Sequence, residues 1–513
     1  MNSSSRAKNS VRNTLYGFVN RVLLILLPFI NRTIFFYTLG SLYLGLNSLF
    51  SSLLQMLSLS ELGIGSALVF SMYKPLAEGD ANKTSALLLL YKKVYRLIGL
   101  ILLLAGFLLI PILHRFISGE IPEGVNIVIV YVVFLVNTAI SYFAFAHIKA
   151  LLIADQRNDI VVNINSIITV ISFITQTIIL LVFKNYYIYI LSFPLFTLLD
   201  NLLAGYIAKR RYPTIQCKGV IPKQELKTIF THVKGIAIQK ICSTTRSSIG
   251  NIIVSTFLGL TVLAIYNNYY FIILSIHALA YQIPNAIRSS VGNSISSESQ
   301  DKNYADFNCL NFLYSFITGW MAICIFCLIQ PFMALWMGSE MMLPLKSVAL
   351  FALYFVLLQT TDIFELYKDA AGLWWYGRFR SIAEVLVTIV LTLLLGNIWG
   401  IDGVLLAVII SISIIGHLYG GYIVYQNYFK ERRFREYIYN LLYYIISIVF
   451  AGIFTFMICD NLQLVSLPGL IIQGIICLIA SGSLLLLLYR FNPNYSSAKA
   501  FAKSIFAITK KRS

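Results

Sequence analysis

FVNRVLLILLPFINRTIFFYTLGSLYLG (residues 18–45) and IAIQKICSTTRSSIGNIIVSTFLGLTVLA (residues 236–264) are two apolar segments of membrane length, and each carries a cation inside it. Sliding one over the other by 219 positions sets Asn20-Arg21 on Gln239-Lys240, Leu39-Gly40 on Leu258-Gly259, and Leu44 on Leu263. The match reads as an internal repeat. A charge within hydrocarbon costs about 2.5–3.5 kcal/mol on insertion scales, so two of them at matching places point to one wet, cationic cavity.

The rest of the chain agrees with a membrane reading. Of 513 residues 58% are hydrophobic and 12% charged, with a mean hydropathy of +0.79, which excludes a soluble enzyme and a disordered chain. Crossing a hydrocarbon layer takes about 20 helical residues. Fourteen stretches reach that length, from about 11–38 to about 466–489. They are too long for barrel strands and lack in/out alternation. The expected fold class is therefore all-α: a polytopic membrane protein of about 14 transmembrane helices, arranged as two six-helix lobes plus two C-terminal helices.

The formal net charge of +18 is an orientation signal, not a nucleic-acid patch. With the N-terminus inside, nearly all Lys and Arg fall near cytoplasmic connections. Arg115, Lys184 and Lys346 are the external exceptions, and Arg21, Arg32, Lys240 and Arg246 lie within segments. An even number of crossings returns the C-terminus to the cytoplasm, where the basic, amphipathic AKAFAKSIFAITKKR (498–512) can rest on anionic lipid. The apolar run at the N-terminus is too long, and too interrupted by Arg21, for a cleavable signal peptide.

The longest cytoplasmic connection, KRRYPTIQCKGVIPKQELK (209–227), divides the repeat, and Pro222 is placed to open a short interfacial helix. We expect an N-terminal lobe over 1–211, an interfacial linker over 212–228, a C-terminal lobe over 229–430, and two extra helices with a basic tail over 431–513. Six helices per lobe make the repeats parallel, an arrangement found in transporters. Outside connections are short, the largest being HRFISGEIPEG (114–124), which leaves no external domain for a glycan polymerase or ligase.

Arg21 lies about ten residues into its segment, roughly 15 Å deep, and Lys240 is similarly placed. Snorkelling to the headgroups competes with a cavity role for both. Arg246 is deeper, in the polar run CSTTRSS. Arg32, near the outer end of its segment, fits an interface anchor as well as a cavity residue. Glu61, in LSLSELGIGSAL (57–68), is the acid most deeply embedded in an apolar run, a candidate for ion coupling or for a structural pair. Asp200, Asp362, Glu365 and Glu384 fall closer to cytoplasmic ends, where solvation is the simpler reading. His147, His232, His277 and His417 show no ligand spacing, and no metal-binding or phosphate-cradling motif emerges. Cys324 and Cys327 form a CxxC in the apolar setting AICIFCLIQ and read as packing residues.

The stretch LGLNSLFSSLLQMLSLSELGIGSALVFSMYKPLAEGD (44–80), running on to LYKKVYRLIGL (90–100), resembles the polysaccharide-transporter branch of the multidrug/oligosaccharidyl-lipid/polysaccharide flippase superfamily. NIIVSTFLGLTVLAIYNNYY (251–270) and DAAGLWWYGRFRSIAEVLV (369–387) resemble it too. The resemblance implies a V-shaped pair of six-helix lobes with two extra helices. It implies flipping of undecaprenyl-diphosphate-linked oligosaccharides across a bacterial cytoplasmic membrane, for O-antigen, capsule or exopolysaccharide, beside a glycan polymerase and glycosyltransferases. In such relatives a cationic cavity binds the diphosphate, and by position Arg21, Lys240 and Arg246, with Arg32, would take that role here. No cofactor is implied beyond coupling to a proton or sodium gradient. Relatives carry an acid just before the asparagine that stands here at 251, whereas this chain has Gly250, so no coupling role carries over there. The rival readings are a drug/cation antiporter of the same superfamily and a membrane glycan polymerase or ligase.

Overall fold

The computed structural model describes residues 26–501 apart from 59–63, 145, 374–375, 431–433 and 463–465. The described chain is helical throughout: α1 (26–39), α2 (Ser41–Leu57), α3 (Ile64–Ala77), α4 (Ala81–Leu109), α5 (Ile127–Phe143), α6 (Ala146–Ala154), α7 (Asn158–Val182) and α8 (Tyr186–Arg211). There follow α9 (Lys223–Leu258), α10 (Leu260–Ala280), α11 (Gln282–Ser297), α12 (Gln300–Met337), α13 (Leu345–Ala370), α14 (Arg378–Ser411), α15 (Gly420–Asn427), α16 (Phe434–Asp460) and α17 (Leu467–Tyr489). This is an all-α polytopic membrane protein. With no water in hydrocarbon to satisfy the backbone, apolar spans must close their hydrogen bonds internally, and only helices do so segment by segment.

Helix starts follow from local chemistry. Asp80, Asn126, Asn185, Ser299 and Ser466 each precede a helix and accept a hydrogen bond from a first-turn amide, as with Lys83 N to Asp80 at 2.9 Å. Pro222 does open a helix, but α9 then runs unbroken from Lys223 to Leu258, so the short helix expected there is the first turns of a long one.

Nine helical stretches among the described residues are long and apolar enough to cross a membrane, and one of them, Phe379–Asn427, has 49 residues. At 1.5 Å per residue it would be about 74 Å long, more than twice the hydrocarbon thickness. Gly400 resolves the excess. Its backbone (φ 58°, ψ −132°) is not helical, and a Cβ on Gly403 would lie 1.9 Å from the Leu395 carbonyl oxygen, so the chain reverses there. The stretch is two antiparallel crossings, tied at their far end by Ser411 Oγ, which donates to the Glu384 carbonyl at 2.9 Å. A π-helical segment, Ile412–Tyr419, follows in the second crossing and leads into α15. The fourteen segments read from the sequence thus fall on α1, α2 with α3, α4, α5 with α6, α7, α8, α9, α10 with α11, α12, α13, the two arms about Gly400, α16 and α17.

The contacts divide into two compact units, Met1–Ala264 and Ile265–Ser513. In the first, α5 and α7 pack on α8, α4 on α5, and α9 on α2 and α3. The two glycines paired by the repeat share one conformation: Gly40 has φ 97°, ψ 178° and Gly259 has φ 89°, ψ 175°. Each amide also donates to the carbonyl four residues back, Phe36 and Ser255, which are themselves a repeat pair. In the second unit α12 is the hub, touching α13, α16 and α17, while α11 and α14 pack on α13. Its core is aromatic, with Phe307, Tyr314, Phe364, Tyr367 and Phe429 fully buried.

Candidate functional site

Arg21 and Glu61 lie outside the described residues. Lys240 lies on α9, where only its backbone is described, and Arg246 is half-buried six residues further on. The serine-rich stretch around Arg246 serves packing as well as polarity. Ser248 Oγ donates to Gln55 Oε1 (3.3 Å), Asn251 Nδ2 to Ser52 Oγ (2.8 Å) and Ser255 Oγ to the Phe116 carbonyl (2.7 Å). Positions 248, 251 and 255 share one helix face, the face that meets α2. Small polar residues suit that contact because they let helices approach closely and hydrogen-bond across the seam. At about 100° per residue Arg246 lies roughly 140–200° around the helix from them, turned away from α2.

Arg32 is half-buried on α1 and is in electrostatic reach of Tyr189 on α8. Its neighbour Asn31 accepts a hydrogen bond from Tyr189 Oη at 3.0 Å, and the Phe35 and Tyr189 rings are 4.9 Å apart. Arg32 is therefore held in a helix seam between α1 and α8. Arg32, Lys240 and Arg246 all belong to the first unit.

The same unit contains an open cavity of about 620 Å³ among α4 to α8, with polar side chains on part of its wall, among them Tyr91, Tyr95, Lys149, Asn165, Thr169 and Asp200. Lys149 Nζ meets Asp200 Oδ2 at 2.6 Å. The other carboxylate oxygen, Oδ1, is buried and has no hydrogen-bond partner among the described residues. The expectation that Asp200 is simply solvated at a helix end is corrected: its side chain is 17% exposed and paired across two helices.

The second unit holds an ionic network that the sequence reading missed. Asp362, Lys368, Arg380 and Glu384 are all buried, with Lys368 only 3% exposed. Glu365 on α13 accepts from Lys368 one turn on and forms an ion pair with Arg380, whose Nη2 lies 2.5 Å from Glu365 Oε1, and Arg380 Nη1 lies 3.6 Å from Glu384. Arg288 on α11 reaches Asp369 at 3.4 Å. Asp362 accepts from Tyr314 Oη at 2.7 Å and has His277 Nδ1 3.9 Å away. Solvation at helix ends is thus corrected to burial and pairing for Asp362 and Glu384, and to pairing for Glu365. The signal was present: Gln359, Asp362, Glu365 and Asp369 recur at intervals of three and four, and so share one face of the helix. His417, 1% exposed, lies between Tyr437 Oη (2.9 Å) and Thr360 Oγ1 (3.2 Å), a hydrogen-bonded packing residue in the π-helical segment.

The described chain, two compact helical units with a C-terminal helix pair, has the fold of solved membrane flippases and transporters. Among solved structures, the lipid II flippase MurJ in an inward closed conformation is similar to the chain with a TM-score of 0.68 at 15% identity, covering 94% of this chain and 99% of that one. An inward-facing MATE-family multidrug resistance transporter is similar at 0.60 and 13% identity, over 78% of this chain and 93% of that one. The Vibrio cholerae MATE transporter VcmN is similar at 0.57 and 13% identity, over 84% and 98%. No protein-family model and no curated protein matches the sequence.

Proposed function

We propose that this protein flips undecaprenyl-diphosphate-linked oligosaccharide repeat units across the bacterial cytoplasmic membrane, both termini inside, for assembly of a surface polysaccharide. Arg21, Lys240 and Arg246, with Arg32, supply the cationic surface for the diphosphate, and the polyprenyl tail stays in lipid. In a low-dielectric cavity a dianionic headgroup is attracted far more strongly than in water. Glu61 is the candidate for coupling to a proton or sodium gradient. A glycan polymerase and glycosyltransferases are the partners such a step requires.

The observation that carries this reading over a drug antiporter is the extent of the likeness to the lipid II flippase. The unmatched 6% is about 31 of 513 residues, so part of α16 (27 residues) and α17 (23 residues) has a counterpart there. The MATE transporter leaves 22% of the chain unmatched. The same likeness favours a second reading, a flippase for a lipid-linked peptidoglycan precursor, which uses the same headgroup chemistry.

The test replaces Arg21, Lys240 and Arg246 by Ala, singly and together, and measures surface glycan alongside the inner-leaflet pool of lipid-linked repeat units. The triple variant is expected to insert normally, to lose at least tenfold of export and to accumulate the lipid-linked precursor. Wild-type export from a normally inserted triple variant would sink the proposal. Rescue of a strain depleted of its lipid II flippase would favour the second reading.

A further inference from the structure

The CxxC at Cys324 and Cys327 meets two cysteines from elsewhere in the chain. The sulfurs of Cys327 on α12, Cys459 on α16 and Cys477 on α17 all lie within 4.8 Å of one another, and all three residues are buried. Cys324, one turn before Cys327 and so on the same face of α12, is in contact with Cys477, and its sulfur lies 3.9 Å from Ser481 Oγ. Four of the chain's seven cysteines therefore converge at one point, although packing there would be served by any small apolar side chain. The surroundings fix the sulfurs in place. Gln473 Nε2 donates to the Cys459 carbonyl at 3.3 Å, and Ser481 Oγ donates to the Cys477 carbonyl at 2.5 Å.

We infer that Cys327, Cys459 and Cys477, with Cys324 beside them, form a binding site for a thiophilic d10 metal ion that ties the C-terminal helix pair to α12. The donor set is sulfur alone, which selects zinc-like or cuprous ions over hard cations. Metal–sulfur bonds of about 2.3 Å put trigonal ligands about 4 Å apart, so closure asks each sulfur to move by less than about 1 Å. Charge is decisive in so apolar a place. A lone thiolate is costly there, and a metal ion binds by displacing thiol protons to solvent. A divalent ion that displaces two protons and takes the third sulfur as a neutral donor leaves the site uncharged, as does a cuprous ion that displaces one. Because α16 and α17 follow the repeat, the ion would staple the appended pair to the hub helix of the second unit. This inference does not depend on what the protein transports.

The experiment uses the full chain with Cys217, Cys242 and Cys309 replaced by Ala, purified in reduced form in lipid nanodiscs. It is titrated with zinc, with cadmium as a spectroscopic probe, and with cuprous ion from a competing chelator. We expect one metal ion retained per chain after desalting, a sulfur-to-cadmium charge-transfer band, and protection of the thiols from alkylation. Cys327→Ser, Cys459→Ser and Cys477→Ser should each weaken binding at least tenfold, and Cys324→Ser less. Metal should also raise the midpoint of thermal unfolding more in the parent than in Cys327→Ser, Cys459→Ser or Cys477→Ser. Retention of zinc or of copper tells the two ions apart, and either supports the site. If the parent retains none of the three metals and gives no band, the inference is wrong whether or not the serine variants fold. The same holds if a variant with all four cysteines replaced by Ser binds equally, or if two of the four are found joined as a disulfide.

Discussion

Arg380 Nη2 lies 2.5 Å from Glu365 Oε1, and the same glutamate accepts from Lys368, so one carboxylate on α13 is shared by two buried cations from two helices. Such pairs are poor evidence of net stability, since desolvation offsets the attraction, but breaking one strands a charge. Glu365→Gln or Arg380→Ala is expected to cost about 3–5 kcal/mol, and replacing Glu365, Lys368 and Arg380 together by apolar residues of similar volume much less. Thermal unfolding in detergent checks this. A triple replacement as damaging as the worst single one would mean that the network is needed intact.

Gly40 and Gly259 share a backbone conformation that L side chains rarely adopt, yet their surroundings differ. A Cβ on Gly259 would lie 2.7 Å from the Ser118 carbonyl oxygen, whereas one on Gly40 would meet nothing within 4 Å. Both alanine variants bear the backbone cost of about 1–3 kcal/mol, and Gly259→Ala adds a clash with rigid backbone. Gly259→Ala should therefore unfold at a clearly lower temperature than Gly40→Ala. Equal shifts would contradict the tight approach of residue 118.

That glycine pair also marks what the sequence makes legible. The repeat could be read because two cations, a Leu-Gly step and a leucine recur at one spacing, and the helices because apolar runs of membrane length have few alternatives. The burial of Asp362, Glu384 and Asp200 was not legible by distance from a helix end, which says nothing of which neighbours cover a side chain. The spacing of acids on α13 was the better guide. Nor could a CxxC announce Cys459 and Cys477, more than a hundred residues away, because their meeting depends on how α16 and α17 dock on α12.

Lys149 and Asp200 offer a separate test, being in the first unit. Lys149→Met removes the partner of Asp200 Oδ2 while Oδ1 has none among the described residues, leaving an unpaired carboxylate on the wall of the cavity. We expect Lys149→Met to destabilise the protein and the double variant Lys149→Met/Asp200→Asn to recover most of the loss, a coupling measurable by a double-mutant cycle. Additive losses would mean that the two side chains do not act as a pair.

The reversal at Gly400 makes a prediction about topology. If Phe379–Asn427 crossed the membrane once, its ends would lie on opposite sides. Two crossings place Tyr376 and Gln426 on one side, and Asn397 on the other. Asp402 ties the turn to the start of α13, its carboxylate meeting Lys346 Nζ at 3.2 Å and Ser347 Oγ at 2.5 Å, so Lys346 belongs on the side of Asn397. Single cysteines at these four exposed positions, in a chain with Cys217→Ser, can be labelled in intact cells with a membrane-impermeant maleimide. Asn397→Cys and Lys346→Cys should react from outside, while Tyr376→Cys and Gln426→Cys should react only after the cells are opened. Labelling of Tyr376→Cys and Gln426→Cys from opposite sides would show one crossing and overturn the hairpin. Labelling of all four with inside and outside exchanged would keep the hairpin and reverse the orientation expected from the basic loops.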